Sequence, residues 1–300
     1  MSDRPVSRSG GNPMRFASGK EYLAWPNKAV TLFGMSGVGK TTLGRLLRKS
    51  EWFLYSVDYR IGTRYMNEHI VDSFKREAMK VPLLRQLLRS DSIYISSNIT
   101  FENLEPLATY LGKPGNPAKG GLSFEEYRRR QAQHRHGEIR ALLDVPEFIA
   151  KAREIYDYDH FLCDTGGSLC EVIDFANPSD PVAMTLEEHT LLLYIRETDD
   201  HVATLIERFR ENPKPMYYHP RFLEEVWADF KREHGITRDE DVDPDAFAVY
   251  GFERLIAHRR PLYERIARRW GYTVDMDAIQ SVRSEDDFNA LVAEVIDKQH

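Results

Sequence analysis

The sequence predicts a three-layer α/β domain, a parallel five-stranded sheet with helices on both faces. Two observations carry that expectation. Five short, mostly apolar runs, AVTLF (29–33), WFLYSV (52–57), HFLC (160–163), LLLYI (191–195) and YTVD (272–275), have the length and the β-branched or aromatic content of buried strands. Helical patterns separate them, and strand–helix–strand order builds parallel sheets through right-handed crossovers.

Taken in order, residues 1–26 are rich in Ser, Gly, Pro and Arg without periodicity, which predicts a mobile tail ahead of a body spanning 27–300. The first strand ends at Gly34, and TTLGRLLRKS then places Leu43, Leu46 and Leu47 at helical spacing. From about 64 to 156 the chain reads as helical, in RYMNEHIVDSFKREAMK, PLLRQLLRS and FEEYRRRQAQHRHGEIRALL, the last with Ser123 as its N-cap. A helical insertion of about 70–155 therefore interrupts the sheet. YLGKPGNPAKGGLS (110–123) is dense in Gly and Pro and reads as a mobile loop. After the fourth strand come the helix DDHVATLIERF and then NPKPMYYHP (212–220), whose three prolines exclude a helix. Helical patterns return at 221–234, 246–270 and in EDDFNALVAEVID.

Composition narrows the function classes. The net charge of −6 gives no general support for a nucleic-acid binder. No apolar run approaches the roughly 18 residues of a membrane span, and the N-terminus lacks the apolar core of a secretory signal. Two cysteines, Cys163 and Cys170, are too few for a disulfide framework and wrongly spaced for zinc, so they read as small apolar side chains in a reducing cytoplasm. The ten histidines read as surface residues rather than a metal site.

The chemistry begins at GMSGVGKTT (34–42), which fits G-x-x-x-x-G-K-[ST] at every fixed position. Gly34, Ser36, Gly37, Val38 and Gly39 form a curl whose amides face phosphate oxygens. The helix that opens near Lys40 adds its positive dipole end. Lys40 reaches the β- and γ-phosphates of ATP, Thr41 holds Mg²⁺ and Thr42 completes the loop. Asp164, at the end of HFLCD, supplies the second half of the metal site. Thr165 stands where many phosphate-loop ATPases place a water-activating Glu, and no Asn-Lys-x-Asp tetrad selects guanine. What remains favoured is a phosphotransferase.

Four stretches resemble the shikimate kinase family: the loop itself, SVDYRIGTR (56–64), DTGGSLCE (164–171) and AHRRPLYERIARRWGYTVD (257–275). The resemblance implies a P-loop kinase-like fold and transfer from ATP to a small, anionic hydroxyl compound. It places Asp58 on the acceptor hydroxyl, with Ser56 replacing a family Asp that helps position Mg²⁺. Gly166, Gly167 and Ser168 fall where three family glycines bring backbone to the substrate. Arg259, beside Arg260, falls on the carboxylate-binding arginine. Within a lid at about 210–222, Lys214 takes the place of the arginine that reaches the transferring phosphoryl group, with Arg208 and Arg210 nearby. From RRRQAQHR, Arg128 is the first choice for a cleft-facing arginine, four residues after the apolar anchor Phe124. Tyr217 and Tyr218 are expected to pack the lid onto the body.

The leading expectation is therefore an ATP- and Mg²⁺-dependent small-molecule kinase with Lys40, Asp58 and Lys214 at the chemistry. A second reading is an ATPase or nucleotide switch whose insertion binds a protein. A third, a nucleic-acid-associated NTPase, rests only on the Arg-rich helix and basic tail.

Overall fold

All five expected strands form: β1 (Ala29–Phe33), β2 (Trp52–Ser56), β3 (His160–Asp164), β4 (Leu191–Arg196) and β5 (Gly271–Asp275). They make one sheet in the order β2-β3-β1-β4-β5, and every neighbouring pair is parallel. The structure, a computed structural model, describes residues 14–299. β1 and β4 are buried along almost their whole length, which accounts for runs of apolar residues without alternation. Leu32 of β1 and Ser56 of β2 both lie in register with Asp164 of β3. The chain turns that leave these strands therefore adjoin at the C-terminal edge of the sheet, where open α/β sheets bind ligands. A five-stranded parallel sheet of this order, with a phosphate loop leaving its central strand, is a P-loop kinase-like α/β fold.

The expected tail ends earlier than residue 26. Ser18 caps a helix at Gly19–Leu23, accepting from the amide of Glu21, and Tyr22 is fully buried. Gly19 packs so closely on the C-terminal helix Glu285–Lys298 that a Cβ would lie 2.4 Å from the carbonyl oxygen of Ala293. The apolar Phe16, Tyr22 and Trp25 form an aromatic cluster, a docking signal hidden in a Ser/Gly-rich segment. Residues 1–13 of the expected tail lie outside the described residues.

The insertion holds helices Asn67–Ala78, Pro82–Arg89, Glu105–Leu111, Phe124–Leu143 and Val145–Glu154. Ser123 caps the fourth as expected, its hydroxyl accepting from Glu126 at 3.2 Å. The loop 110–123 is pinned rather than loose. Gly115 donates to Leu122 and Asn116 to Val242, both at 2.8 Å, and Tyr110 and Leu111 are buried. Its glycines and prolines serve tight turns within a fixed structure. A second, smaller core forms around Tyr127, Tyr218, Trp227, Phe230 and Phe247, separate from the core under the sheet. It joins the long helix Phe124–Leu143 to the helices Pro220–Glu233 and Pro244–Trp270.

Candidate functional site

The phosphate loop turns at Gly34, where φ is +137° and a Cβ would lie 2.5 Å from the carbonyl oxygen of Ile195. Only glycine fits there. Met35 and Val38 are buried and hold the loop from beneath, while Ser36 and Gly37 stay exposed. Burying a side chain such as Val38 contributes roughly 1.5–3 kcal/mol, so the loop is anchored by its apolar positions. The helix Lys40–Leu47 follows Gly39 directly, with no side-chain cap and no acidic residue in its first turn. Its leading amides therefore take no side-chain cap from the helix itself, a donor set that suits a phosphate chain. Lys40 is buried and its Nζ donates to the carbonyl oxygens of Gly34 and Met35, both at 2.8 Å. Burial pulls its pKa down, and Asp164 and Asp58 act against that.

Thr41 donates from Oγ1 to Asp164 Oδ2 at 2.9 Å, and Asp164 Oδ1 accepts from the amide of Gly166 at 3.1 Å. A hydroxyl and a carboxylate converging at the loop are hard oxygen donors of the kind Mg²⁺ takes. Asp58 arrives from the next strand. Ser56 ends β2 and uses its hydroxyl to cap the short helix Val57–Arg60, accepting from Tyr59. That places Asp58 against Gly166, where φ is +68° and a Cβ would lie 2.7 Å from both Asp58 oxygens. A Cβ at Gly167 would lie 2.7 Å from Ser36 Oγ, so the 166–167 backbone threads between Asp58 and the phosphate loop. Burial, with Asp164 adding to it and Lys40 opposing, pushes the Asp58 carboxyl up to about 6.

Two adjoining cavities result. One, of about 220 Å³, is lined by Lys40, Thr41, Asp58, Asp164 and Gly166 among others. The second, of about 180 Å³, shares Ser36, Asp58 and Gly167 with the first and continues toward His134, Ser168 and Arg259. Ser36, Gly37, Gly39, Lys40, Thr41 and Thr42 of the expected loop all line the first; Gly34 and Val38 lie beneath it as structural positions.

Three expected residues sit otherwise than anticipated. Arg259 reaches the second cavity but is already paired. Its Nε meets Glu171 at 2.8 Å, Nη1 donates to Gly167 at 2.6 Å and Nη2 to Tyr217 at 2.7 Å. Burial works against the Glu171 charge, yet Arg259 and His258 hold that carboxyl down at about 2. Arg259 is thus a tie between the 166–171 turn and the 217 segment. Its neighbour Arg260 points elsewhere, to Glu197 and Asp199. Arg128 is exposed and paired with Glu224. Phe124 does anchor its face of the helix, but against Trp227 and not toward the cleft. Lys214 is exposed and lines neither cavity. Of the expected lid, Tyr217 and Tyr218 are buried, and Gln131 grips both neighbours: Oε1 accepts from the Tyr218 amide and Nε2 donates to Met216.

From the long helix, His134 lines the second cavity, and Gln131 and Glu138 on the same buried face bond to segments around it. His134 stacks on Tyr217 at 4.9 Å, so it is no surface histidine, and burial with Arg259 beside it lowers its pKa to about 4. Burial pushes Glu138 up to about 8, against the hydrogen bond from Ser168 Oγ at 2.7 Å. Their signal was in the sequence: Tyr127, Gln131, His134, Glu138 and Ala141 recur at helical spacing, a buried stripe interrupted by polar residues.

Fold and loop together define a phosphate-loop α/β protein with a second cavity beside the loop. No protein-family model matches the chain, and no curated protein matches it. Among solved structures it is similar to the crystal structure of shikimate kinase from Bacteroides thetaiotaomicron, at 14% identity over 91% of this chain and 96% of that chain, with a TM-score of 0.38. At that identity a functional reading rests on the residues themselves.

Proposed function

We propose that the protein transfers a phosphoryl group from ATP, with Mg²⁺, to a hydroxyl of a small molecule. The observation that supports this above others is the position of Asp58, a carboxylate lining the same cavity as Lys40, Thr41 and Asp164 and also the adjoining cavity. A carboxylate alone could serve water as well; the second cavity that opens beyond Asp58 gives room for a larger hydroxyl compound. Lys40 and the loop amides would hold the triphosphate, and Thr41 with Asp164 would hold the metal, which when bound neutralises charge on the transferring group. Asp58 would accept the hydroxyl proton and orient the oxygen for in-line attack. Gly166 and Gly167 let backbone approach from the side without blocking that carboxylate.

The anionic acceptor expected from sequence rested on Arg259 and Arg128. Neither presents an unpaired cation to either cavity.

The test is ADP release measured across a panel of small hydroxyl compounds. One class of compound should accelerate it well above hydrolysis alone. Asp58→Asn should lower that rate by about 10²–10⁴-fold with nucleotide affinity unchanged. In the wild type the rate should fall with acidity around pH 6, where Asp58 takes up its proton and can no longer accept another. Equal rates with and without every compound would mean hydrolysis.

One observation favours a second reading, a nucleotide switch with a protein partner. The helix Pro82–Arg89 has no buried residue and leaves Val81 and Leu83 exposed. Removing that apolar face by Leu83→Glu should leave ADP release with a small acceptor intact under the first reading.

A further inference from the structure

We propose that the acceptor is a small compound rich in hydrogen-bond donors and free of anionic groups, a polyol or amino alcohol, bound in the 180 Å³ cavity with one face on Leu104, Leu107 and Leu111. This rests on the phosphoryl-transfer reading and names the substrate class it leaves open.

The charge around the cavity comes first. Arg259 is the only Lys or Arg among the described residues that line it, and its charge is matched by Glu171 at 2.8 Å. Three of its five N–H donors go to protein atoms. Arg135, one residue beyond His134, is half-buried but does not line the cavity. Asp58, by contrast, opens onto it directly. A carboxylate entering here meets a carboxylate and no unpaired cation, an arrangement that raises its cost of burial.

The hydrogen-bonding sense of the wall points the same way. Ser168 lines the cavity, and its single hydroxyl hydrogen goes to Glu138 Oε1 at 2.7 Å. It therefore offers a ligand only lone pairs. Ionised Asp58 is likewise an acceptor only. The Gly167 carbonyl already accepts from Arg259 and from the Tyr263 hydroxyl, both at 2.6 Å. Tyr217, whose buried hydroxyl has no partner, lines the same cavity and can donate; a hydroxyl group can accept from it and donate to Ser168 or Asp58, whereas a carboxylate has no hydrogen for the latter two.

Size and polarity complete the picture. A cavity of about 180 Å³ is near the roughly 150 Å³ that encloses a benzene ring, so the ligand has on the order of six to ten non-hydrogen atoms. Leucines 104, 107 and 111 accept a C–H face, and the polar groups lie on the Asp58–Ser168 side.

The test uses the full chain. A non-hydrolysable ATP analogue with Mg²⁺ is titrated first by calorimetry; no binding there removes the phosphoryl-transfer reading and this inference with it. On the nucleotide-saturated protein, matched trios of five- and six-carbon polyhydroxy compounds follow. Their members differ at one carbon: carboxylate, hydroxymethyl or aminomethyl. The hydroxymethyl or aminomethyl member should bind about tenfold or more tightly than the carboxylate. Ser168→Ala should weaken that member several-fold without moving the nucleotide affinity. Tighter binding of the carboxylate, above all if Arg135→Ala abolishes it, overturns the inference while leaving phosphoryl transfer standing. So does the absence of binding by every member at about 10 mM with nucleotide bound.

Discussion

The phosphate-loop side and the helical side of the site both bury a cation, and they hold it differently. On the loop side, Lys40 rests on two neutral carbonyls. On the helical side, Arg259 is locked to the Glu171 carboxylate and to two carbonyls from separate segments. A cation on neutral carbonyls can exchange them for an arriving anion at modest cost. A cation already paired in a dry setting cannot, because stripping Glu171 of its arginine there carries a penalty of several kcal/mol. The same charge is therefore free to change partners on one side and a structural tie on the other.

Substitutions can break or sharpen that contrast. The largest effect is expected from Lys40→Ala: turnover should fall about a thousandfold or more, with circular dichroism and melting temperature little changed. Unchanged turnover would end the phosphate-loop assignment. Arg259→Ala should act on the fold, costing about 3–5 kcal/mol in urea unfolding because Glu171 is left buried with only His258 beside it. A higher acceptor KM at full stability would instead make Arg259 a substrate ligand. Glu138→Gln comes next and depends on pH. The folded carboxyl keeps its proton to about pH 8, whereas the unfolded chain loses it near 4.5. Its contribution is thus fullest below pH 4.5 and is lost as pH rises to about 8, by about 1 kcal/mol per unit. The glutamine variant should lack this slope, gaining on the wild type as pH rises in thermal melts. Smallest is Arg128→Ala, which removes an exposed pair with Glu224: under about 1 kcal/mol, and no change in acceptor KM.

Much of the loop side could be read from sequence because its signals are local. Five apolar runs gave five strands, and the motif 34–42 folds as its glycines require. Asp58 and Asp164 were findable because each stands at the end, or just past the end, of a recognisable strand. The helical side depends on partners far away in the chain. Arg259 reaches the second cavity, but its pairing is set by Glu171, Gly167 and Tyr217, which lie 88, 92 and 42 residues off. The register of the long helix was likewise decided by packing. Three adjacent arginines drew attention to 128–130, while the face turned inward was that of Gln131, His134 and Glu138. Phe124 was a sound anchor for a face that leads to Trp227.

The stitching of residues 216–218 has a consequence for timing. Gln131, Tyr127 and Arg259 all bond to this stretch, and Tyr218 is built into the second core. Opening the second cavity from that side therefore means moving a slab with its own hydrophobic interior, not flicking a strand of loose chain. Slab motions of that kind run on microseconds to milliseconds, where free loops move in nanoseconds to microseconds. Relaxation dispersion on the 216–218 amides should find exchange in that slower window, shared with amides of the helix Pro220–Glu233.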